Sequence, residues 1–169
     1  MTWRDGFDDK SSGSRVGYLD PKNGTYGETG IVHAGKQSMP LDYNNTKTPF
    51  YSETEREFAT VQDWTRNGGD TLVLYVQGKS ANSPASLYIA VEDSTNHLGV
   101  AAYPDPAVTT QTKWTEWKIP LGQFTAAGVN LARVKRMYLG LGDRKNPIVD
   151  GSGLIYIDDL RVIKATTTP

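Results

Sequence analysis

The chain has no cysteine, which excludes disulfides, thiolate metal sites and a cysteine nucleophile. Histidine is almost as scarce: His33 and His97 are the only two in 169 residues. No serine stands in a Gly-x-Ser-x-Gly elbow, so a hydrolytic triad would have to recruit one of these histidines without a supporting motif. No apolar run approaches the roughly 20 residues that span a bilayer, which speaks against a membrane-spanning helix. Net charge is −1 and both signs are mixed along the chain, so no basic stripe exists for a phosphate backbone and the composition argues against nucleic acid as a partner. No apolar leader follows Met1, whose neighbours are Thr2-Trp3-Arg4-Asp5.

What is present is punctuation. Seventeen glycines and nine prolines separate short runs rich in Val, Ile, Leu, Tyr and Thr. That spacing is the mark of a many-stranded antiparallel sandwich. Strands are predicted over 15–19, 28–32, 37–44, 50–59, 71–77, 86–92, 99–103, 115–121, 134–141 and 154–163, with a helical turn at 62–67 and a loop or short turn at 121–129. The length suits one domain over 1–164, and residues 165–169, Ala-Thr-Thr-Thr-Pro, read as the start of a Thr/Pro linker to a neighbouring domain or as a tail.

Four strands alternate cleanly with period two. Leu72, Leu74 and Val76 share a face, as do Leu87, Ile89 and Val91, Met137, Leu139 and Leu141, and Ile155 and Ile157. These aliphatic faces are expected to meet as the core. The opposite face carries a tyrosine in every one of the four: Tyr75, Tyr88, Tyr138 and Tyr156. Gln77, Glu92, Arg136 and Asp158 share that side, with small residues such as Ala90 and Gly140 beside them. Flat rings with polar tips, guanidinium and carboxylate suit a sugar, which presents C–H faces and many hydroxyls. Tyrosine is also favoured on any half-exposed sheet, so an ordinary structural role weighs equally. Among the tryptophans, Trp117 is in phase with Ile119 and Leu121 and reads as core. Trp64, after Asp63 in a turn, and Trp114, out of phase with Trp117, are the candidates for a stacking platform at the loop end, with packing the competing role for Trp64. Loop residues 143–147 and Asp105 are polar and are read as sugar contacts or surface turns.

Several segments taken together resemble a known kind of domain. They are Ile31-Val32-His33-Ala34-Gly35-Lys36-Gln37-Ser38, Gln62-Asp63-Trp64-Thr65, Leu87-Tyr88-Ile89-Ala90-Val91-Glu92, Trp114-Thr115-Glu116-Trp117-Lys118-Ile119-Pro120-Leu121, Met137-Tyr138-Leu139-Gly140-Leu141-Gly142-Asp143-Arg144, and Gly153-Leu154-Ile155-Tyr156-Ile157-Asp158-Asp159-Leu160. In this order they are similar to the jelly-roll, galactose-binding-domain-like modules that accompany bacterial glycoside hydrolases. The resemblance implies an all-β, two-sheet antiparallel jelly-roll sandwich and a non-catalytic carbohydrate-binding module of a secreted or cell-surface bacterial protein, with a polysaccharide as partner. A structural or protein-interaction sandwich with no sugar site is the alternative on the same fold. The resemblance also implies a structural Ca2+ held by Asp159, with Asp158 as second choice, and by the backbone around Gly35 and Lys36. Against the ion stands a simpler role for the two aspartates, capping a bulge and accepting backbone amides. The opening Trp3-Arg4-Asp5-Gly6-Phe7-Asp8-Asp9 departs from the acidic first strand of such modules, and Asp5, Asp8 and Asp9 read as a turn. Jelly-roll glycosidases and lyases need clustered catalytic motifs that are missing here. Glu53, Glu55 and Glu57 do share one strand face, but without a visible acid–base partner they read as a solvated strand edge.

Overall fold

Period-two patterning obliges each strand to put one face in a core and one outside, and two such sheets bury their apolar faces against each other. The computed structural model describes residues 3–18 and 26–165. Its strands are β1 (Arg15–Val16), β2 (Met39–Asn44), β3 (Ser52–Gln62), β4 (Thr71–Gln77), β5 (Leu87–Asp93), β6 (Leu98–Ala102), β7 (Thr115–Pro120), β8 (Val134–Leu141) and β9 (Ser152–Ile163). They form a five-stranded sheet in the order β1-β2-β9-β4-β7 and a four-stranded sheet in the order β3-β8-β5-β6. All the pairings between these strands are antiparallel. Among the described residues, helix is confined to a single α-turn, α1 (Gly122–Thr125), and to 3-10 turns at Arg66–Gly68, Pro106–Thr110 and Leu131–Arg133.

The aliphatic sets named from alternation meet between the sheets. Leu72, Leu74 and Val76 from one sheet and Leu87, Ile89, Val91, Met137, Leu139 and Leu141 from the other belong to one buried cluster with Leu41, Trp117, Ile119, Ile155 and Ile157. Full burial of each large aliphatic side chain stabilises the fold by roughly 1.5–3 kcal/mol. The tyrosines of β4, β5, β8 and β9 lie outside this cluster, on the far side of their strands.

Three predicted strands are corrected. The segment 28–32 is not a strand; only Glu28 makes an isolated bridge, to Ser38. The Glu28 carboxylate instead accepts the N–H groups of Gly30 and Ile31, which bends the chain into a turn. The first strand is cut to Arg15–Val16, and Leu19 lies outside the described residues. The third strand starts two residues later than predicted and runs on to Gln62, so the helical turn shifts to Arg66–Gly68.

Candidate functional site

The four tyrosines do not share a platform, because their strands belong to different sheets. Tyr88 (β5) and Tyr138 (β8) stand on the outer face of the four-stranded sheet, with Glu92 and Arg136. Tyr75 (β4) and Tyr156 (β9) stand on the outer face of the five-stranded sheet, with Gln77. The nine predicted ligand residues therefore fall into separate places.

The four-stranded face is the richer in chemistry. Register sets Glu53, Glu55 and Glu57 of β3 opposite Gly140, Tyr138 and Arg136 of β8, and these opposite Tyr88, Ala90 and Glu92 of β5. Three strands thus present one polar field. The Tyr138 hydroxyl donates to Glu92 Oε2 at 2.6 Å, and Arg136 Nη1 donates to Glu92 Oε1 at 2.8 Å. The Tyr88 hydroxyl donates to Glu53 Oε2 at 2.7 Å. Its ring lies across Gly140, where a Cβ would sit 2.1 Å from the ring's Cζ, so only glycine admits this path. Arg136 also approaches Glu55 (3.7 Å) and Glu57 (3.5 Å), and Lys135 lies 3.2 Å from Glu57. Arg144, from the loop after β8, brings Nη1 within 3.3 Å of Glu53 and its guanidinium within 5.1 Å of the Tyr138 ring centroid.

The β3 glutamates do lie on an edge strand, as the sequence suggested, but Glu55 and Glu57 are paired there and Glu53 is withdrawn from solvent. The Glu53 side chain is only 11% exposed. Burial drives its pKa above the ordinary carboxylate value, against the lowering effect of the Tyr88 hydroxyl and Arg144. Burial, helped by the neighbouring carboxylates, also holds both tyrosine hydroxyls protonated well above the usual phenol range. For Arg136, burial works against the charge, but Glu92, Tyr138 and Glu57 together outweigh it and raise the pKa further. Tyr88 and Tyr138 are 4% and 7% exposed, so the rings form a floor and brace carboxylates rather than offering open faces. The open groups are the half-buried heads of Glu55, Glu57, Arg136 and Arg144. At the β3 edge the face continues into a recess of about 250 Å3 lined in part by Arg4, Tyr51, Glu53 and Glu55. Directly after Glu92, the buried Asp93 carboxylate pins the end of β5. It accepts from Thr95 N and Oγ1 (both 2.7 Å), His97 N (3.1 Å) and Asn130 N (2.8 Å).

On the five-stranded sheet, Tyr156 is buried, with the Lys79 ammonium 5.6 Å from its ring centroid. Tyr75 is half-buried; His33 stacks on it at 3.6 Å, and Trp114 meets His33 edge-on at 5.8 Å. Trp64 is a core residue, edge-on to Phe58 at 6.4 Å, which overturns its candidacy as a loop-end platform.

The aspartates proposed as calcium ligands are engaged from the donor side. Asp158 Oδ2 accepts His33 N (2.9 Å) and Ala34 N (3.2 Å), and its Oδ1 accepts Asp159 N (2.8 Å). Asp159 Oδ2 lies 2.5 Å from His33 Nδ1, and Asp159 itself is a positive-φ residue where the β4–β9 register shifts. A calcium ion needs converging oxygens, whereas an ion here would meet N–H groups. The donors around Asp158 and Asp159 do not fit the metal, because N–H groups already occupy the carboxylate oxygens it would use.

No family model matches the chain, and no curated protein matches its sequence. Solved structures do. A family 11 carbohydrate-binding module from Clostridium thermocellum, in complex with a β-1,3-1,4-mixed-linked tetrasaccharide, is similar with a TM-score of 0.58 at 15% identity, over 97% of this chain and 88% of that one. A family 30 carbohydrate-binding module is similar at 0.64 and 12% identity, over 85% and 75%. An exo-β-agarase is similar at 0.67 and 11% identity, over 97% of this chain but 23% of that one. The chain thus has a jelly-roll β-sandwich fold similar to that of these carbohydrate-binding modules. At these identities the likeness carries the fold, and the ligand has to be argued from this chain's own residues.

Proposed function

We propose that the chain is a non-catalytic carbohydrate-binding module that docks a polysaccharide on the outer face of the four-stranded sheet. It would serve as an accessory domain of a larger secreted protein. The observation that carries the reading is the field of Glu55, Glu57, Arg136 and Glu92 over a floor of two tyrosine rings, all facing away from the core. Such groups offer both donors and acceptors to sugar hydroxyls, already held in place by one another, so little ordering entropy is lost on binding. Arg4, Lys135, Arg136 and Arg144 together balance Glu53, Glu55, Glu57 and Glu92 across the face, which suits an uncharged polysaccharide. The predicted stacking on Tyr88 and Tyr138 recedes to a supporting role, since their faces are covered. Similarity to carbohydrate-binding modules, and to part of an agarase, supports this reading.

The second reading is a structural sandwich with no sugar site. It is favoured by the saturation of the network: both tyrosine hydroxyls already have carboxylate partners. Affinity electrophoresis against mixed-linked β-glucan, xyloglucan, cellulose derivatives and agarose separates the two. Glu55→Ala and Arg136→Ala truncate half-buried heads and are expected to keep the wild-type melting temperature within a few degrees while abolishing retardation. Full retardation by both variants would remove the site from this face, and no retardation of the wild type by any gel would favour the structural reading.

A further inference from the structure

We propose that Trp114 and His33 form a second carbohydrate-binding site, on the outer face of the five-stranded sheet and independent of the first. Trp114 differs from the other three tryptophans. Trp64 and Trp117 are in the core and Trp3 packs against it, whereas Trp114 lies outside it, half-buried just ahead of β7. An indole held at the surface without core contacts is a large apolar plane with no folding role to account for its position.

Its neighbour is unusually well fixed. The His33 ring lies nearly parallel to Tyr75 (3.6 Å, 16°), and Trp114 stands against it at 69°. The two rings make a corner, with imidazole on tyrosine as the floor and indole as the wall. Nδ1 of His33 is engaged by Asp159 and its backbone N–H by Asp158. The Tyr75 hydroxyl donates to Glu116 at 3.0 Å. With Nδ1 taken, Nε2 makes no hydrogen bond among the described residues and remains available to a ligand. The fixed imidazole is thus a preorganised polar edge beside an apolar plane.

Charge narrows the ligand class. Glu116 is paired with Lys118 (2.9 Å), Asp159 with His33, and Arg161 stands 5.8 Å from the Tyr75 ring. Asp158 is held by the N–H groups of His33, Ala34 and Asp159, and Arg161 donates to the Asp159 carbonyl, so each charged group here already has a partner and none is left to draw an ion. A neutral pyranose fits, stacking its C–H face on the indole while a hydroxyl meets His33 Nε2. With sites on opposite outer faces, one module would bridge two polysaccharide chains rather than bind one.

The test uses the intact chain with soluble mixed-linked β-glucan, xyloglucan and agaro-oligosaccharides, read by titration calorimetry and tryptophan fluorescence. Trp114→Ala is expected to bind about tenfold more weakly at one of two classes of site and to lose the ligand-induced fluorescence change. His33→Ala is expected to weaken the same class, and Arg136→Ala to leave it intact. If Trp114→Ala binds and fluoresces with ligand as the wild type does, the second site falls while the four-stranded face stands. If Arg136→Ala keeps all binding and Trp114→Ala loses it, the first site falls and this one stands. Failure of the folded wild type to bind any of the three probes overturns both.

Discussion

Asp93 sets the end of the strand that carries Tyr88 and Glu92, so its replacement tests whether that end is held electrostatically. Its side chain is 1% exposed and accepts four hydrogen bonds of 2.7–3.1 Å, with His97 Nδ1 a further 3.3 Å away. Asp93→Ala removes every acceptor at once. A hydrogen bond to a charged group contributes about 1.5–3 kcal/mol, but Thr95 and His97 lie on a turn where water replaces part of the loss. Allowing full loss at Asn130 N and partial loss at the other three, the cost is about 3 kcal/mol. For a chain of this size that lowers the melting temperature by roughly 6–12 °C. The sign of the pH effect follows from the same geometry. Burial alone would raise the pKa of Asp93, but hydrogen bonds from Asn130, Thr95 and His97 outweigh it and hold the carboxyl far below its ordinary value of 3.8. A depressed pKa contributes stability that is present above the unfolded value and lost as pH falls through the folded one. The stability gap between wild type and Asp93→Asn, measured by urea denaturation, is therefore expected to be constant from pH 7 to about 5 and to shrink below about 4. A gap that does not depend on pH, or an Asp93→Ala variant within about 0.5 kcal/mol of wild type, would falsify the electrostatic account.

Two other outcomes follow from the site. Glu53 has the opposite sign: burial raises its pKa above 4.5, so its contribution is fully present below that value and lost as pH rises through the folded pKa. Relative to Glu53→Gln, the wild type is expected to gain stability as pH is lowered from 7 towards 4.5, and urea midpoints that run in parallel for both proteins would refute it. Because donors face Asp158 and Asp159, a chelator is expected to leave the melting temperature unchanged, and added calcium to have no effect; a fall of several degrees on chelation would show that an ion binds there after all.

Much of the fold was legible because alternation is a local property. Leu87, Ile89 and Val91 must leave their strand on the side opposite Tyr88 and Ala90, whatever the rest of the chain does. Strand order is not local. Tyr75 and Tyr88 look equivalent in sequence, yet β4 pairs with β7 and β9 while β5 pairs with β6 and β8, which places their tyrosines on opposite surfaces of the molecule. The same blindness hid the glutamates of β3. Glu53, Glu55 and Glu57 carry no signal of a partner within their own segment; the partners are Tyr88 and Arg144 for Glu53 and Arg136 for Glu55 and Glu57, all brought alongside from distant parts of the chain by strand pairing. The Asp158–Asp159 pair was visible as a capping or metal motif, and the choice between the two rested on His33, which approaches from 126 residues away in sequence.

This separation also explains how similar sandwiches persist at 11–15% identity. The core asks only for apolar side chains of about the right volume at alternate positions, a demand that many sequences meet. The outer faces ask nothing for the fold beyond tolerance of a pleated surface, so they are free to carry different ligand chemistry. Here that freedom has been used unevenly. On the four-stranded face the rings are covered and the charged heads are open, whereas on the five-stranded face an indole that takes no part in the core stands against the His33 ring. A polysaccharide held by the first face would be read through its hydroxyls, and one held by the second through its C–H surface. The two faces are therefore expected to differ in how they tolerate a change of sugar configuration: inverting a single hydroxyl should weaken binding to the hydrogen-bonding face more than to the stacking one. Epimeric oligosaccharides titrated into Trp114→Ala and Arg136→Ala would show this difference, and equal discrimination by both variants would mean that the same chemistry governs both faces.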